Sequence, residues 1–186
     1  MANKVKYNLK NVHYAKLTEG PGGKATFATP VPIPGAVSLS LDSKGEISPF
    51  YADGIVYFKT ASNNGYEGDL EIALIPESFR TDILGEESDA KKVLVENSNA
   101  KQAAFALLFE FDGDDKAIRH VMYNCAATRP GVESKTKEDK VEPVTEKLTI
   151  SATPLTDGRI KARTGDETEA TTYKNWYTKV YETGAA

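Results

Sequence analysis

Two histidines, one cysteine, a glycine-rich tract and a knot of aspartates are the residues of this sequence whose types could do chemistry. His13 and His120 are its only histidines. A metal site or a nucleophile–base pair needs partners at a short fixed spacing or inside a recognisable motif, and these two lie on separate predicted strands with neither. Each reads as a surface or half-buried strand residue. Gly20-Pro21-Gly22-Gly23-Lys24 superficially suggests a phosphate loop. Thr18 stands where the first glycine belongs, however, Ala25 replaces the Ser/Thr that would hold magnesium, and no helix pattern follows. The segment reads as a loop tip. Asp112-Gly113-Asp114-Asp115 offers hard oxygen ligands of the kind calcium takes, without the alternating spacing and distal glutamate of an EF-hand loop. Aspartate and glycine are also what a tight turn requires. Cys125 lies in an apolar strand with no basic neighbour to lower its pKa, and reads as a small core or semi-exposed residue. No G-x-S-x-G elbow is present. The sequence therefore predicts no enzyme: no catalytic residue, no metal ligand and no cofactor.

The 186 residues suit one domain, 1–186, with a long loop at 18–35 and a C-terminal arm or helix at about 165–186. A chain of this size buries roughly 70% of its unfolded surface on folding, so it needs no disulfide or metal to be stable. The net charge is −4 and the pI about 5.3. Proteins that grip nucleic acid carry a basic surplus, because their affinity comes from neutralising phosphates. This one has none. The charge is nevertheless uneven. Residues 1–24 carry Lys4, Lys6, Lys10, Lys16 and Lys24 against Glu19 alone, whereas 66–90 carry eight carboxylates, from Glu67 to Asp89, against Arg80 alone. Such patches are ordinary solvated surfaces or, more sharply, complementary faces of neighbouring copies. A single cysteine excludes an internal disulfide and points to an intracellular site of folding. With no apolar run of about 18 residues and the polar start Met1-Ala2-Asn3-Lys4, the expectation is a soluble protein made in a cytoplasm.

The elements are mostly strands. Val5, Tyr7 and Leu9 alternate, and the phase slips near Lys10-Asn11, which predicts a bulge. Glycines and prolines break up 18–35, which reads as an extended loop or a loosely paired hairpin. Val37, Leu39 and Leu41 alternate with serines. Ile47 to Tyr51, the Asp53-Gly54 turn and Ile55 to Thr60 predict a hairpin, and Leu70, Ile72 and Leu74 a further strand. Pro76 to Gly85 is the one convincing helix, with an apolar face of Phe79, Ile83 and Leu84 over residues 77–84. Ala104 to Phe111 and Ala117 to Ala126 predict a second hairpin. Thr128 to Lys140 reads as an exposed loop, and Leu148, Ile150 and Ala152 as another strand. Tyr173, Trp176, Tyr177, Val180 and Tyr181 fit helical spacing, but their composition suits an extended arm equally well. They pack on the chain's own core or on a neighbouring copy.

The order of segments resembles one known family. Asn11-Val12-His13-Tyr14-Ala15, Phe105-Ala106-Leu107-Leu108-Phe109-Glu110-Phe111-Asp112, Arg119-His120-Val121-Met122-Tyr123-Asn124 and Arg129-Pro130-Gly131 look like the major tail proteins of siphophages infecting Gram-positive bacteria. Glu142-Pro143-Val144-Thr145-Glu146-Lys147-Leu148-Thr149-Ile150 and Asn175-Trp176-Tyr177-Thr178-Lys179-Val180-Tyr181 continue the likeness. The resemblance implies a mainly β fold, a β-sandwich of the tail-tube type with one short α-helix near 77–84 and extended loops or arms. It also implies a structural virion protein of a long non-contractile tail, assembled in the host cytoplasm into hexameric rings that stack as a tube. Its partners would be copies of itself, the tape measure, tail terminator and distal tail proteins, and genomic DNA in transit without specific binding; no membrane is involved. Some relatives add a C-terminal immunoglobulin-like domain, which is not expected here.

Open strand edges and Gly/Pro-rich segments fit such an assembly, because ring closure removes edges and extended segments reach neighbours. The expected contact residues between copies are Val31, Ile33, Phe50, Tyr51, Tyr173, Trp176 and Tyr177. Deleting 18–35 is accordingly expected to spare the fold and block polymerisation. The alternative is a monomeric β-sandwich binding module for carbohydrate or receptor, stacking sugar rings on the aromatics near 173–181. A tail terminator or decorating protein is a third reading.

Overall fold

The computed structural model describes residues 3–136 and 142–183. Its strands are β1 (Lys6–Glu19), β2 (Ala25–Phe27), β3 (Val31–Pro32), β4 (Ala36–Lys44), β5 (Ile47–Ala52), β6 (Ile55–Ala61) and β7 (Gly65–Ile72). After helix α1 (Glu77–Phe79) come β8 (Glu87–Ser88), β9 (Leu94–Val95), β10 (Phe105–Gly113), β11 (Ile118–Ala127), β12 (Glu146–Ala152), β13 (Lys161–Arg163) and helix α2 (Ala170–Lys174). Every described strand pairing is antiparallel. The main sheet runs β2-β1-β10-β11-β12-β7-β4, with β3 added to β1 and β13 to β11.

The central strand β10 explains why the sequence around it is continuously apolar. A strand covered on both faces cannot alternate apolar with polar. Phe105, Leu107 and Phe109 enter one core while Ala106 and Leu108 enter the other. The first core is enclosed because the sheet curls until β4 comes alongside β1. Tyr14, Leu70, Ile72, Leu148 and Ile150 line it, and Phe79, Ile83 and Leu84 cap it from the helix. Each such side chain, fully buried, contributes roughly 1.5–3 kcal/mol. The helix matches its expected span: α1 continues as a wide π turn over Arg80–Leu84 and stops at Gly85, whose φ of 78° a side chain would disfavour. Arg80 ties it to β12 through Glu146, at 2.7 Å.

The second core lies on the opposite face. Ala15, Leu17, Val121 and Tyr123 are covered there by Leu155, Trp176 and Val180. The C-terminal aromatics therefore pack on the chain's own sheet, with α2 as a short helix leading into them.

The phase slip expected near Lys10-Asn11 is present as two register shifts in the β1–β10 ladder, between Tyr7 and Leu9 and between Lys10 and His13. Asn8 and Asn11 take the left-handed backbone there, with φ of 53° and 50°. Asparagine tolerates that region better than most residues. Each also reaches across the ladder, Asn8 to Asp112 at 2.9 Å and Asn11 to Glu110 at 2.6 Å.

Of the two readings of residues 18–35, an extended loop or a loosely paired hairpin, the structure has the paired one. β2 pairs with Leu17–Glu19 and β3 with His13 and Tyr14. Ala25 and Ile33 are buried. Apolar residues spaced between the prolines let the segment lie along β1 instead of projecting from it. The loop expected at 128–140 has no regular structure up to 136; residues 137–140 lie outside the described residues, as do the last three of the C-terminal segment expected at 165–186.

Candidate assembly surfaces

The residues with chemical potential are dispersed and already engaged. His13 stacks on Tyr177, ring centroids 4.7 Å apart. His120 stacks on Phe109 at 5.0 Å, and burial, then Arg163, Lys6 and Lys161, hold its pKa down to about 4. The 112–115 turn is closed by the N-terminal segment: Asn3 accepts from the backbone N–H of Asp115 and Lys116, and Asp114 accepts from that of Lys4 at 2.7 Å. Asp112 pairs with Lys10 at 2.6 Å, which holds its carboxyl below the usual range. Cys125 is fully buried, and burial pushes its thiol up to about 12. Among the described residues, no group of His, Cys, Asp and Glu side chains is placed to hold a metal ion. The glycine-rich tip at 20–24 borders an open cleft of about 460 Å³ with Thr156, Asp157 and Arg159. Arg159 is bound there by Asp157 at 2.6 Å.

Two surfaces stand out instead. The first is the outward face of β4, β7 and β12. Because Leu70, Ile72, Leu148 and Ile150 point into the core, their strand neighbours point away from it. Cross-strand register sets Ser38, Glu71 and Lys147 in one row, Ser40, Asp69 and Thr149 in the next, and Asp42, Glu67 and Ser151 in the third. Lys147 pairs with Asp69 at 2.9 Å and Lys44 with Glu67. Hydrogen bonds from Lys147 and then Thr149 hold the Asp69 carboxyl below its ordinary pKa, and those from Thr145 and Ser38 do the same for Glu71. Asp69 and Glu71 therefore stay ionised at neutral pH, on a polar face that also carries Asp42, Glu67, Lys44 and Lys147.

The second surface is the β5–β6 hairpin. Ladder bonding runs on into it from β4 and β7 through Ser62 N–H to Glu46 O at 2.9 Å and Asn64 N–H to Lys44 O at 2.8 Å. β12 ends its pairing at Tyr66, and among the described residues no other strand pairs with the ribbon. Asp53 and Gly54 turn it with φ of 52° and 76°, the mirror-image turn that a twisted hairpin needs. Ile47, Phe50, Tyr51, Ile55, Tyr57 and Phe58 are all at least 60% exposed. Single exposed apolar residues are commonplace on soluble proteins; a contiguous set like this marks a contact surface.

The residues expected at contacts between copies divide accordingly. Phe50 and Tyr51 stand on this arm, and Val31 is half-buried at the sheet edge. Ile33 and Trp176 are each 2% exposed, inside the two cores. Tyr173 and Tyr177 are half-buried around Arg119. With Trp176 enclosed, the ring face that would stack on a sugar is already taken. Sequence reasoning missed Ile47, Ile55, Tyr57 and Phe58. The available signal was Ile55-Val56-Tyr57-Phe58, four consecutive apolar residues where a strand with one wet face would alternate.

The family model described as phage tail tube protein matches residues 2–184 of the sequence. No curated protein matches it.

Proposed function

Because the chain belongs to the phage tail tube proteins, a structural and non-enzymatic family of the virion tail, we propose that it builds the tube as hexameric rings stacked end to end. The observation that carries this reading is the β5–β6 arm, an apolar ribbon that its own subunit leaves bare. An isolated two-stranded hairpin is marginal in water, and its unpaired edges invite other strands. Copies of the same chain supply the missing cover. Among the described residues the outer edge of β4 is bonded to no further strand, although β1 lies near it, and it offers a further place for strand pairing between ring neighbours.

The polar face of β4, β7 and β12 suits the lumen. DNA carries one charge per about 1.7 Å of duplex, so a basic wall would bind it at many points and stall its passage. A wall of Glu67, Asp69 and Glu71 repels phosphates over roughly 8–10 Å in physiological salt and leaves the duplex free to slide. DNA then passes without specific binding. The remaining partners are the tape measure, terminator and distal tail proteins, met as the tail is assembled in the host cytoplasm.

Light scattering over increasing concentration, followed by negative-stain microscopy, tests this reading. Six-fold rings and tubes are the expected result. A protein that remains monomeric at every concentration, or that closes into dimers and stops, would overturn it.

A further inference from the structure

The ribbon leaves the main sheet through a chemically labile link. Asn64 is the single asparagine of the sequence that is followed by a glycine, and the fold is what demands the glycine. Gly65 takes a φ of 102°, in the left-handed region that a side chain disfavours. A Cβ there would also run into the carbonyl oxygen of Ala152, at the end of β12. Close backbone approach therefore requires a residue without a side chain, and such a residue leaves its own nitrogen unshielded. Asn64 is exposed, and among the described residues no hydrogen bond holds its carboxamide. The Gly65 N–H donates to Asn63 Oδ1 over a long 3.3 Å. The Asn64 N–H donates to the Lys44 carbonyl oxygen at 2.8 Å, while Gly65 is the ladder partner of Lys44. Two residues oppose one here, which is a β-bulge.

Asparagine is among the thermolabile residues, and a free carboxamide beside an unshielded nitrogen has a ring closure open to it. We propose that Asn64 is a self-modification site, where the chain converts its own amide to an acid and lengthens its backbone at the root of the ribbon. The Gly65 nitrogen gives up its proton to solvent base and bonds to Cγ of Asn64. The Cγ–Nδ2 bond breaks, and the amide nitrogen takes up a proton and leaves as ammonia. Water then opens the cyclic imide at either of its two C–N bonds. Opening at Cγ leaves aspartate; opening at the main-chain carbonyl leaves isoaspartate, with Cβ carried in the main chain. No electrons are transferred, and water is the co-reactant. Isoaspartate adds an atom between residue 64 and Gly65, so the two no longer oppose Lys44 together. The bonds from Ser62 to Glu46 and from residue 64 to Lys44, which root the ribbon, slacken. Both cores lie beyond this link and stay as they are. This chemistry does not depend on what the ribbon touches.

Peptide mapping by mass spectrometry of the full chain, aged in warm and mildly alkaline buffer, tests the site. Conversion at Asn64 is expected to run at least tenfold faster than at Asn97 or Asn99, which are also exposed, and to yield isoaspartate, detected by enzymatic methylation. Conversion no faster at Asn64 than at those two overturns the proposal. Aspartate as the sole product overturns the lengthening of the backbone. Hydrogen exchange of the backbone amides of residues 62 and 64 supplies a second readout. Both are expected to exchange at least fivefold faster in aged wild type. They are expected to stay unchanged in Asn64→Gln aged alongside, whose longer side chain closes a ring far more slowly. Unchanged exchange in converted protein overturns the slackened root. An equal rise in Asn64→Gln traces the change to another lesion and overturns it as well.

Discussion

Arg119 donates from Nε to Glu110 across the β10–β11 ladder at 2.9 Å, and both side chains are largely shielded from water. Asn11 and Tyr177 complete the shell of the carboxylate, while Arg119 also donates to the carbonyl oxygen of Tyr173 and lies 3.9 Å from that ring. The pair thus fastens the C-terminal segment to the sheet. A buried pair stripped of one partner leaves an uncompensated charge, which typically costs about 3–5 kcal/mol. Arg119→Leu is therefore expected to destabilise strongly, and Arg119→Leu/Glu110→Leu to recover part of the loss. Urea denaturation of the two variants checks this; equal stability of the single and double variants would refute it.

Trp176 and Phe58 offer a sharp contrast. Trp176 is 2% exposed and Phe58 60%. Trp176→Ala opens a cavity beside Leu155 and Val180 and is expected to cost about 3–5 kcal/mol. Phe58→Ala is expected to leave the melting temperature within a degree. Thermal unfolding of the two side by side is sufficient.

His120 predicts the acid response. Its folded pKa lies near 4, against about 6.5 in an unfolded chain. Below pH 6.5 the unfolded chain binds a proton that the folded one refuses, so stability is full above that value and falls as pH drops towards 4. His120→Phe, which keeps a ring against Phe109, is expected to flatten the decline between pH 6.5 and 4.5. Denaturation midpoints across that window measure the difference. The depressed carboxylates Asp69, Glu71 and Asp112 contribute stability that is lost only at lower pH, as they too protonate.

Ile33 tests the placement of the proline-rich segment. It is buried beside Val12, whose carbonyl accepts from its backbone N–H at 2.7 Å. Ile33→Ala is expected to cost about 2–4 kcal/mol. The same reasoning reverses the sequence-based expectation for deleting 18–35: the loss of β2 and β3 uncovers β1 and weakens the subunit itself. An unchanged melting temperature in either variant would return the segment to the role of a free arm.

Much of this architecture was legible in the residues. The helix at 77–84 was readable because Phe79, Ile83 and Leu84 repeat at its period and Gly85 ends it. The hairpin around Asp112 was readable because its turn chemistry is local. The β1 bulge showed itself as a break in alternation at Lys10-Asn11. What could not be read was which surface each apolar group meets. Trp176 and Phe50 are both large aromatics in polar surroundings, yet one closes a core and the other faces water. That distinction depends on β12 ending at its Ala152–Tyr66 pair, a non-local fact. The burial of Ile33 was not legible for a related reason: prolines announced irregular backbone, and irregular backbone still packs when an apolar side chain comes within reach of β1.

The separation of the arm from both cores has an evolutionary corollary. On the tube reading, substitutions on the ribbon are expected to alter how firmly copies hold one another without touching the melting of a single copy, so tail toughness and subunit robustness would drift independently. A lineage needing a stiffer or a more pliant tail could retune a handful of positions between Ile47 and Ala61 and leave the remainder of the chain as it stands.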